Sequence, residues 1–432
     1  MKTTLHALLA GALLLPLLHG CGGTGDKDAK VRLVNATSEY AAMDLYESSD
    51  AITTGVASYA VGGYASLEKG GYTFHLKSGG TSAIAASVSD SIGRDDHHTL
   101  VAYTSGGTLT TQILDDAEGD PSSGTAKLRV FHTASADAGA VDVYLVNTPC
   151  ATLSSSPSAA TASGVSGLQA GYTEVAAAGG GTGYHVCVTA AGDKGDLRLD
   201  IPALSLSDQQ IVTLILVRSS GGVLLHGLLL NQQGALAKAL NSSARMRLAA
   251  GASGSAAVTA TVNGTTLGTN LTAPAVASYK LVDAGALTLN VLVGGATAAA
   301  ADLSAEAGAD LTLLVTGTAA SQPLLIKDDN SASTSSTRPT RIRLVNGMTG
   351  PGTTAVLTDD YNNVGDGAAF GKASTYSLVP ASAALARLEA SSGSRVLCLS
   401  TAVTLNAGSV YTVFLLGDVP AAPVACTLRV DR

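Results

Sequence analysis

Lys30-Val31-Arg32-Leu33-Val34-Asn35, Lys127-Leu128-Arg129-Val130-Phe131-His132, Arg245-Met246-Arg247-Leu248-Ala249 and Arg341-Ile342-Arg343-Leu344-Val345-Asn346 are one phrase written four times. The central arginines Arg32, Arg129, Arg247 and Arg343 are 97, 118 and 96 residues apart. Repetition at that period describes a string of similar modules, each with its own core. Reading outward from the phrase gives modules at 30–117, 127–233, 244–330 and 340–432. Each is about 100 residues long, near the commonest domain size. Linkers fall at 118–126, 233–244 and 330–340, where Ser, Thr, Gly and Pro concentrate. Within the second linker, 234–240 reads as a brief helical turn.

The remaining strands follow from alternation of side chains. In the first module Ala42-Met43-Asp44-Leu45-Tyr46, Tyr64-Ala65-Ser66-Leu67 and Tyr72-Thr73-Phe74-His75-Leu76 follow the opening phrase. The third module echoes it, with Val276-Ala277-Ser278-Tyr279 beside Val56-Ala57-Ser58-Tyr59, and 284–289 beside 70–74. Gly183-Tyr184-His185-Val186-Cys187-Val188 is the counterpart in the second. A closing hairpin also recurs. Its first strand is His98-Thr99-Leu100-Val101, Ile211-Val212-Thr213-Leu214, Leu311-Thr312-Leu313-Leu314 and Tyr411-Thr412-Val413-Phe414. Its second is at 109–114, 223–230, 323–326 and 426–430. Ser105-Gly106-Gly107, Ser219-Ser220-Gly221-Gly222 and Val262-Asn263-Gly264-Thr265 supply the positive φ of tight reversals. About seven short strands per hundred residues predict an all-β chain of four tandem immunoglobulin-like β-sandwich modules, although a small barrel leaves a similar trace.

Leu128-Arg129-Val130-Phe131-His132-Thr133-Ala134-Ser135-Ala136-Asp137-Ala138-Gly139-Ala140-Val141-Asp142-Val143-Tyr144-Leu145 resembles the start of the bacterial envelope family catalogued as domain of unknown function 4397. The stretch 31–46 is a looser copy, and the resemblance fades in the third and fourth modules, where Thr259 and Ala355 replace Asp44 and Asp142. It implies an immunoglobulin-like sandwich in secreted or anchored proteins, and carries no established reaction.

The first 20 residues read as a signal peptide, with Lys2 ahead of an apolar run of about a dozen residues that is too short to span a bilayer. Leu18-His19-Gly20-Cys21 resembles a lipobox, which implies cleavage before Cys21 and its lipidation. Residues 21–29 then form a lipidated tether. Gly22, where an aspartate would by the same resemblance favour the inner membrane, points to the outer one. A net charge of −8 offers no basic stripe for nucleic acid. Outside the cytoplasm the other four cysteines are expected to oxidise within modules, Cys150 with Cys187 and Cys398 with Cys426. The two alternative pairings would staple separate modules together.

No reaction is legible. Asp95-Asp96-His97-His98 is dense in ligand types, but adjacent strand residues point to opposite faces. His132, His185 and His226 share the second module, which invites a zinc triad that the order of residues cannot bring together. No Gly-x-Ser-x-Gly elbow follows a strand. The stretch 179–183 reads as a hairpin loop, since neither a helix nor a Lys-Ser/Thr ending follows it. Asp44 and Asp142 read as caps of local turns, and the pairs Asp115-Asp116, Asp328-Asp329 and Asp359-Asp360 as solvated strand ends. Tyr64, Tyr172, Tyr279 and Tyr376 read as corner packing, and the absence of Trp weakens a sugar platform. The expectation is therefore a non-catalytic, lipid-anchored envelope protein without cofactor or metal, acting as a scaffold or in contact with other envelope proteins. The alternatives are a carbohydrate or small-ligand binder and, behind it, a metal-dependent protein or enzyme.

Overall fold

In the computed structural model, residues 29–178, 183–333, 337–349 and 354–432 are described. The leader, Cys21 and the tether up to residue 28 lie outside them, as does most of the glycine run at 179–182. What is described is almost entirely β. Each repeat builds two facing sheets, and the opening phrase forms the central strand of one of them.

That strand has a partner distant in sequence. Ala29–Asn35 runs parallel to His97–Ser105, Thr125–His132 to Ile211–Arg218, Ser243–Ala252 to Asp310–Gly317, and Thr340–Thr349 to Val410–Asp418. The closing strand then returns antiparallel to the second member, as Thr108–Asp115 does in module 1. The opposite sheet of that module has the order Asp50–Ala57, Ala42–Glu47, Gly70–Ser78, Ile84–Ile92. Two of those four strands, Asp50–Ala57 and Ile84–Ile92, are not visible in the sequence pattern. Both are edge strands with mostly exposed or half-buried side chains, so their apolar alternation is weak.

Alternation on the opening strand explains the architecture. Val31 and Leu33 enter the sandwich core beside Met43, Leu45, Phe74 and Leu76. The next residue, Val34, points the other way, into a second cluster with Val101, Leu114, Phe131, Ile215 and Leu228. Two of those six belong to the opening-strand sheet's own parallel and closing partners, and the last three belong to module 2. The same division recurs later. Leu248 and Leu344 face their own cores, whereas Ala249, Leu314, Val345, Phe414 and Leu416 form one cluster across modules 3 and 4. The repeat therefore reads apolar on both faces because both faces are buried, as expected of a central strand in a layered fold. Modules 1 and 2 pack back to back, and modules 3 and 4 do the same. Fully burying each Val, Leu or Phe contributes about 1.5–3 kcal/mol, so a module parted from its partner would expose an apolar face.

Gly347 sets how closely the second pair can approach. A Cβ there would lie 2.7 Å from Leu314 Cδ1, and one on Gly251 would lie 3.2 Å from Leu416 Cδ2. The two pairs also meet each other. The turn after Ile211–Arg218 docks on module 3, with Gly221 N donating to Gly308 O (3.1 Å) and Asn330 N to Gly221 O (3.0 Å). One expectation is overturned in the second linker: residues expected as a helical turn form the strand Leu236–Ala239, antiparallel to Leu225–Asn231. Free hydrogen-bonding groups at the sheet edge capture this segment, and its local composition does not oppose them. The reversal at Asn263-Gly264 is the tight turn expected, with φ of +47° and +80°.

Candidate functional site

The seam between paired modules holds a side-chain cluster that recurs four times. The second basic residue of each opening phrase points out of its sandwich, and its guanidinium lies over a tyrosine ring. The distances to the ring centroid are 4.5 Å for Arg32 on Tyr64, 4.3 Å for Arg129 on Tyr172, 4.5 Å for Arg247 on Tyr279 and 4.6 Å for Arg343 on Tyr376. Nε then donates to a threonine of the parallel strand: Thr99 (2.7 Å), Thr213 (3.4 Å), Thr312 (2.9 Å) and Thr412 (3.2 Å). In modules 1, 3 and 4 that threonine hydroxyl donates onward to a carboxylate at the end of the closing strand or just past it, Asp116, Asp328 or Asp431. Gln232 holds the equivalent place in module 2, two residues beyond Leu230, which pairs with Thr213. The tyrosines do more than fill a corner, because Tyr64 and Tyr279 donate to Asp116 (2.5 Å) and Asp328 (2.6 Å).

Charges cross the seam reciprocally in the second pair. Arg247 of module 3 donates through both terminal nitrogens to Asp431 of module 4, and Arg343 of module 4 donates to Asp328 and to Lys327 O (2.8 Å) of module 3. All four side chains are buried, with relative exposures of 2% for both arginines, 3% for Asp328 and 8% for Asp431. Burial opposes the charge on Asp328, but Arg343 and Arg247, helped by hydrogen bonds from Tyr279 and Thr312, outweigh it and hold the carboxyl below its ordinary value. For Tyr279, burial and the neighbouring Asp328 act together and push its phenol well above its usual range. The first pair is asymmetric. Arg32 lies 3.5 Å from its own Asp116, but it reaches only backbone oxygens across the seam, Gly234 O (2.5 Å) and Asn231 O (3.2 Å).

Asp116 and Asp328 are thus not the solvated strand ends that the sequence suggests. Each is enclosed by the neighbouring module's docking face, which no local pattern discloses. The sequence assigns no role to Asp431, and none to the four threonines beyond their place in strands. A usable signal existed: every recurring hairpin strand carries Thr one residue before its central Leu or Val, at 99, 213, 312 and 412.

The other nominated residues separate. His97 and His98 diverge as expected of strand neighbours: His97 stands edge-on to Tyr64, and His98 Nδ1 meets Asp90 Oδ2 at 2.5 Å. His132 Nε2 donates to Gly139 O (2.8 Å), His226 Nδ1 accepts from Asn241 N (3.0 Å), and His185 Nδ1 lies 3.6 Å from Asp200 Oδ1. Among the described residues the one group with ligand atoms close enough for a metal is Cys150, His185 and Asp200, which excludes His132 and His226. Cys150 is bonded to Cys187, so its sulfur is not a free thiolate; Cys398 is bonded to Cys426. Asp44 accepts from Gly55 N (2.7 Å) and Gly80 N (3.4 Å), and Asp142 from Gly164 N (2.7 Å) and Gly192 N (2.8 Å). These carboxylates tie neighbouring strands together rather than capping their own turn. Thr259 takes over in module 3, accepting from Asn270 N (2.9 Å).

The family model described as Domain of unknown function (DUF4397) matches residues 29–144 and again 244–353, together more than half of the chain. Each match begins at the first module of a back-to-back pair and ends within the second, so the likeness extends to module 3 and the start of module 4, where the sequence suggests fading, and stops early in module 2. No curated protein matches the chain. Among solved structures, the Bacillus anthracis TIE protein is 8% identical over 87% of this chain and 66% of its own, with a TM-score of 0.14. The chain thus spans just under two thirds of that protein, and a likeness so weak carries no argument about fold or function.

Proposed function

The chain belongs to the DUF4397 family, and on that premise we propose that it is a non-catalytic scaffold of the bacterial cell envelope, held to a membrane by lipid on Cys21. The observation that carries the reading is the reciprocal exchange of Arg247 with Asp431 and Arg343 with Asp328. Buried charges are costly unless paired in good geometry, so these four residues favour a single arrangement of modules 3 and 4. A flexible string of beads has no use for that constraint; a spacer or contact platform does.

The two disulfides favour an oxidising compartment, in keeping with secretion. With the seams occupied by partner modules, contact with other envelope proteins falls to the outward sheets and their edges. On module 4, Leu385 on the strand Ser382–Ser392 is 61% exposed, Tyr361 in the turn after the strand Ala355–Asp359 of the same sheet is 78% exposed, and Arg387 lies 4.5 Å from the Tyr361 ring. The outer membrane is the destination we propose, from Gly22 beside Cys21.

Fractionation tests the anchor. Wild-type protein should sediment with membranes and Cys21→Ser should be released; a variant that stays on membranes refutes lipid attachment. Cross-linking in intact envelopes then tests the scaffold. Specific adducts lost in Tyr361→Ser and Leu385→Ser would support it, and adducts unchanged by both would move the contact surface elsewhere. The second reading, a small-ligand or carbohydrate binder, has one specific observation in its favour: a cleft between modules.

A further inference from the structure

Where modules 2, 3 and 4 meet, a cleft of about 690 Å³ brings together Arg198, Arg245, Lys280 and Arg432. That volume falls within the range of pockets that take small organic ligands, about 300–1,000 Å³. Asp193, Asp196 and Asp431 also line it, so the balance depends on which carboxylates are already committed.

Most are committed. Asp431 serves Arg247 in the seam. Asp196 Oδ2 accepts from Arg198 at 2.6 Å, and Arg198 Nη1 donates to Val223 O at 3.3 Å. Asp193 is exposed and accepts from Gly195 N at 2.8 Å. Arg245 lies 3.4 Å from the fully buried Asp310, outside the cleft lining. Two cations are left over. Lys280 is exposed at the rim and makes no ion pair among the described residues. Arg432 has a buried Nη1 with no hydrogen-bond partner, and Arg198 Nε is in the same condition. Burial, then the charges of Arg198 and Arg245, push the Arg432 guanidinium down to about 10. Asp137 attracts Arg432, but neither of its own oxygens is hydrogen-bonded, so it does not cap the guanidinium.

Guanidinium groups crowded by like charge along one cleft favour an anion that accepts from several of them at once. We propose that the junction cleft binds a small organic ligand bearing an oxyanion, which bridges Arg432 and Arg198 while Lys280 meets a second acidic group at the rim. Leu197, Val223 and Leu281 give its carbon frame an apolar wall. Carboxylate and phosphate or sulfate esters share the necessary chemistry, and the choice among them is made by the probes below.

The test is calorimetric titration of the full mature chain, at low ionic strength, with citrate, inorganic phosphate and inorganic sulfate in turn. Saturable one-to-one binding of at least one probe is expected. Preference for citrate would identify a polycarboxylate ligand, and preference for phosphate or sulfate a tetrahedral oxyanion ester. Arg432→Gln should weaken binding by about tenfold or more, as loss of one charge-assisted contact does. Lys280→Gln, at an exposed position where folding is not at stake, should weaken citrate binding several-fold. Asp196→Asn, which removes the competing carboxylate, should tighten binding, a gain that a disturbed fold would not produce. Absence of saturable binding for all three probes, or affinities unmoved by both cation variants, would overturn the proposal.

Discussion

Arg247 grips the carboxylate of Asp431, 184 residues further along the chain and in the next module. Arg343 returns the contact to Asp328. The seam between modules 3 and 4 is therefore electrically closed, with two cations and two anions whose side chains are almost wholly shielded from water.

Breaking one side of that exchange strands a buried guanidinium. Asp431→Asn and Asp328→Asn are each expected to lower stability by about 3–5 kcal/mol, read as a shift in the denaturant midpoint. The paired change Arg247→Met with Asp431→Leu should be milder than Asp431→Asn, because no charge is left unpaired. Single variants that unfold like wild type would show that the seam is wet.

Close approach at Gly347 gives a steric test. Gly347→Ala places a methyl 2.7 Å from Leu314 Cδ1, whereas Gly251→Ala meets its nearest side chain at 3.2 Å. Overpacking of the first kind costs about 1–3 kcal/mol, and the Gly251 change should cost less. Thermal unfolding of the two variants side by side gives the order; a reversed order would contradict the packing described.

Joining Cys150 to Cys187 closes a loop with a sequence separation of 37, and Cys398 to Cys426 one of 28. On the chain-entropy account, losing either bond costs about 3–4 kcal/mol. Alanine at both members of a pair, compared with wild type under non-reducing conditions, measures it. Free-thiol titration of the unfolded wild type should find neither pair reduced.

His132 supplies a pH test. It is 1% exposed, and burial pushes its imidazole down to about 4, partly offset by hydrogen bonds to the Gly139 and Leu216 backbone. The folded value is below the ordinary one, so the neutral ring's contribution is complete above about pH 6.5 and is lost as pH falls toward 4. A shift of that size corresponds to about 3 kcal/mol. His132→Gln keeps a donor for Gly139 O but does not titrate, so its stability should fall less between pH 7 and pH 4. Parallel pH profiles for the two proteins would rule out His132 as the source.

The cysteine pairing was legible because only within-module bonds avoid stapling distant modules together. The Asn263-Gly264 reversal was legible from local conformational preference. The edge strands Asp50–Ala57 and Ile84–Ile92 were not, since exposure on one or both faces blurs the apolar alternation. The Leu236–Ala239 strand was misread because its pairing partner, not its composition, makes it a strand.

By itself the sequence determined that one β unit is repeated four times, which strand opens each copy and where the tight turns fall. Those are matters of a recurring phrase and of backbone preference, each written in a few neighbouring residues. Only the tertiary structure decided that the copies dock in pairs and that Asp116, Asp328 and Asp431 lie inside. It alone brought Arg198, Arg245 and Arg432 to one cleft. The physical reason is that burial and charge pairing depend on which surfaces meet, and residues up to 202 positions apart along the chain meet across these seams.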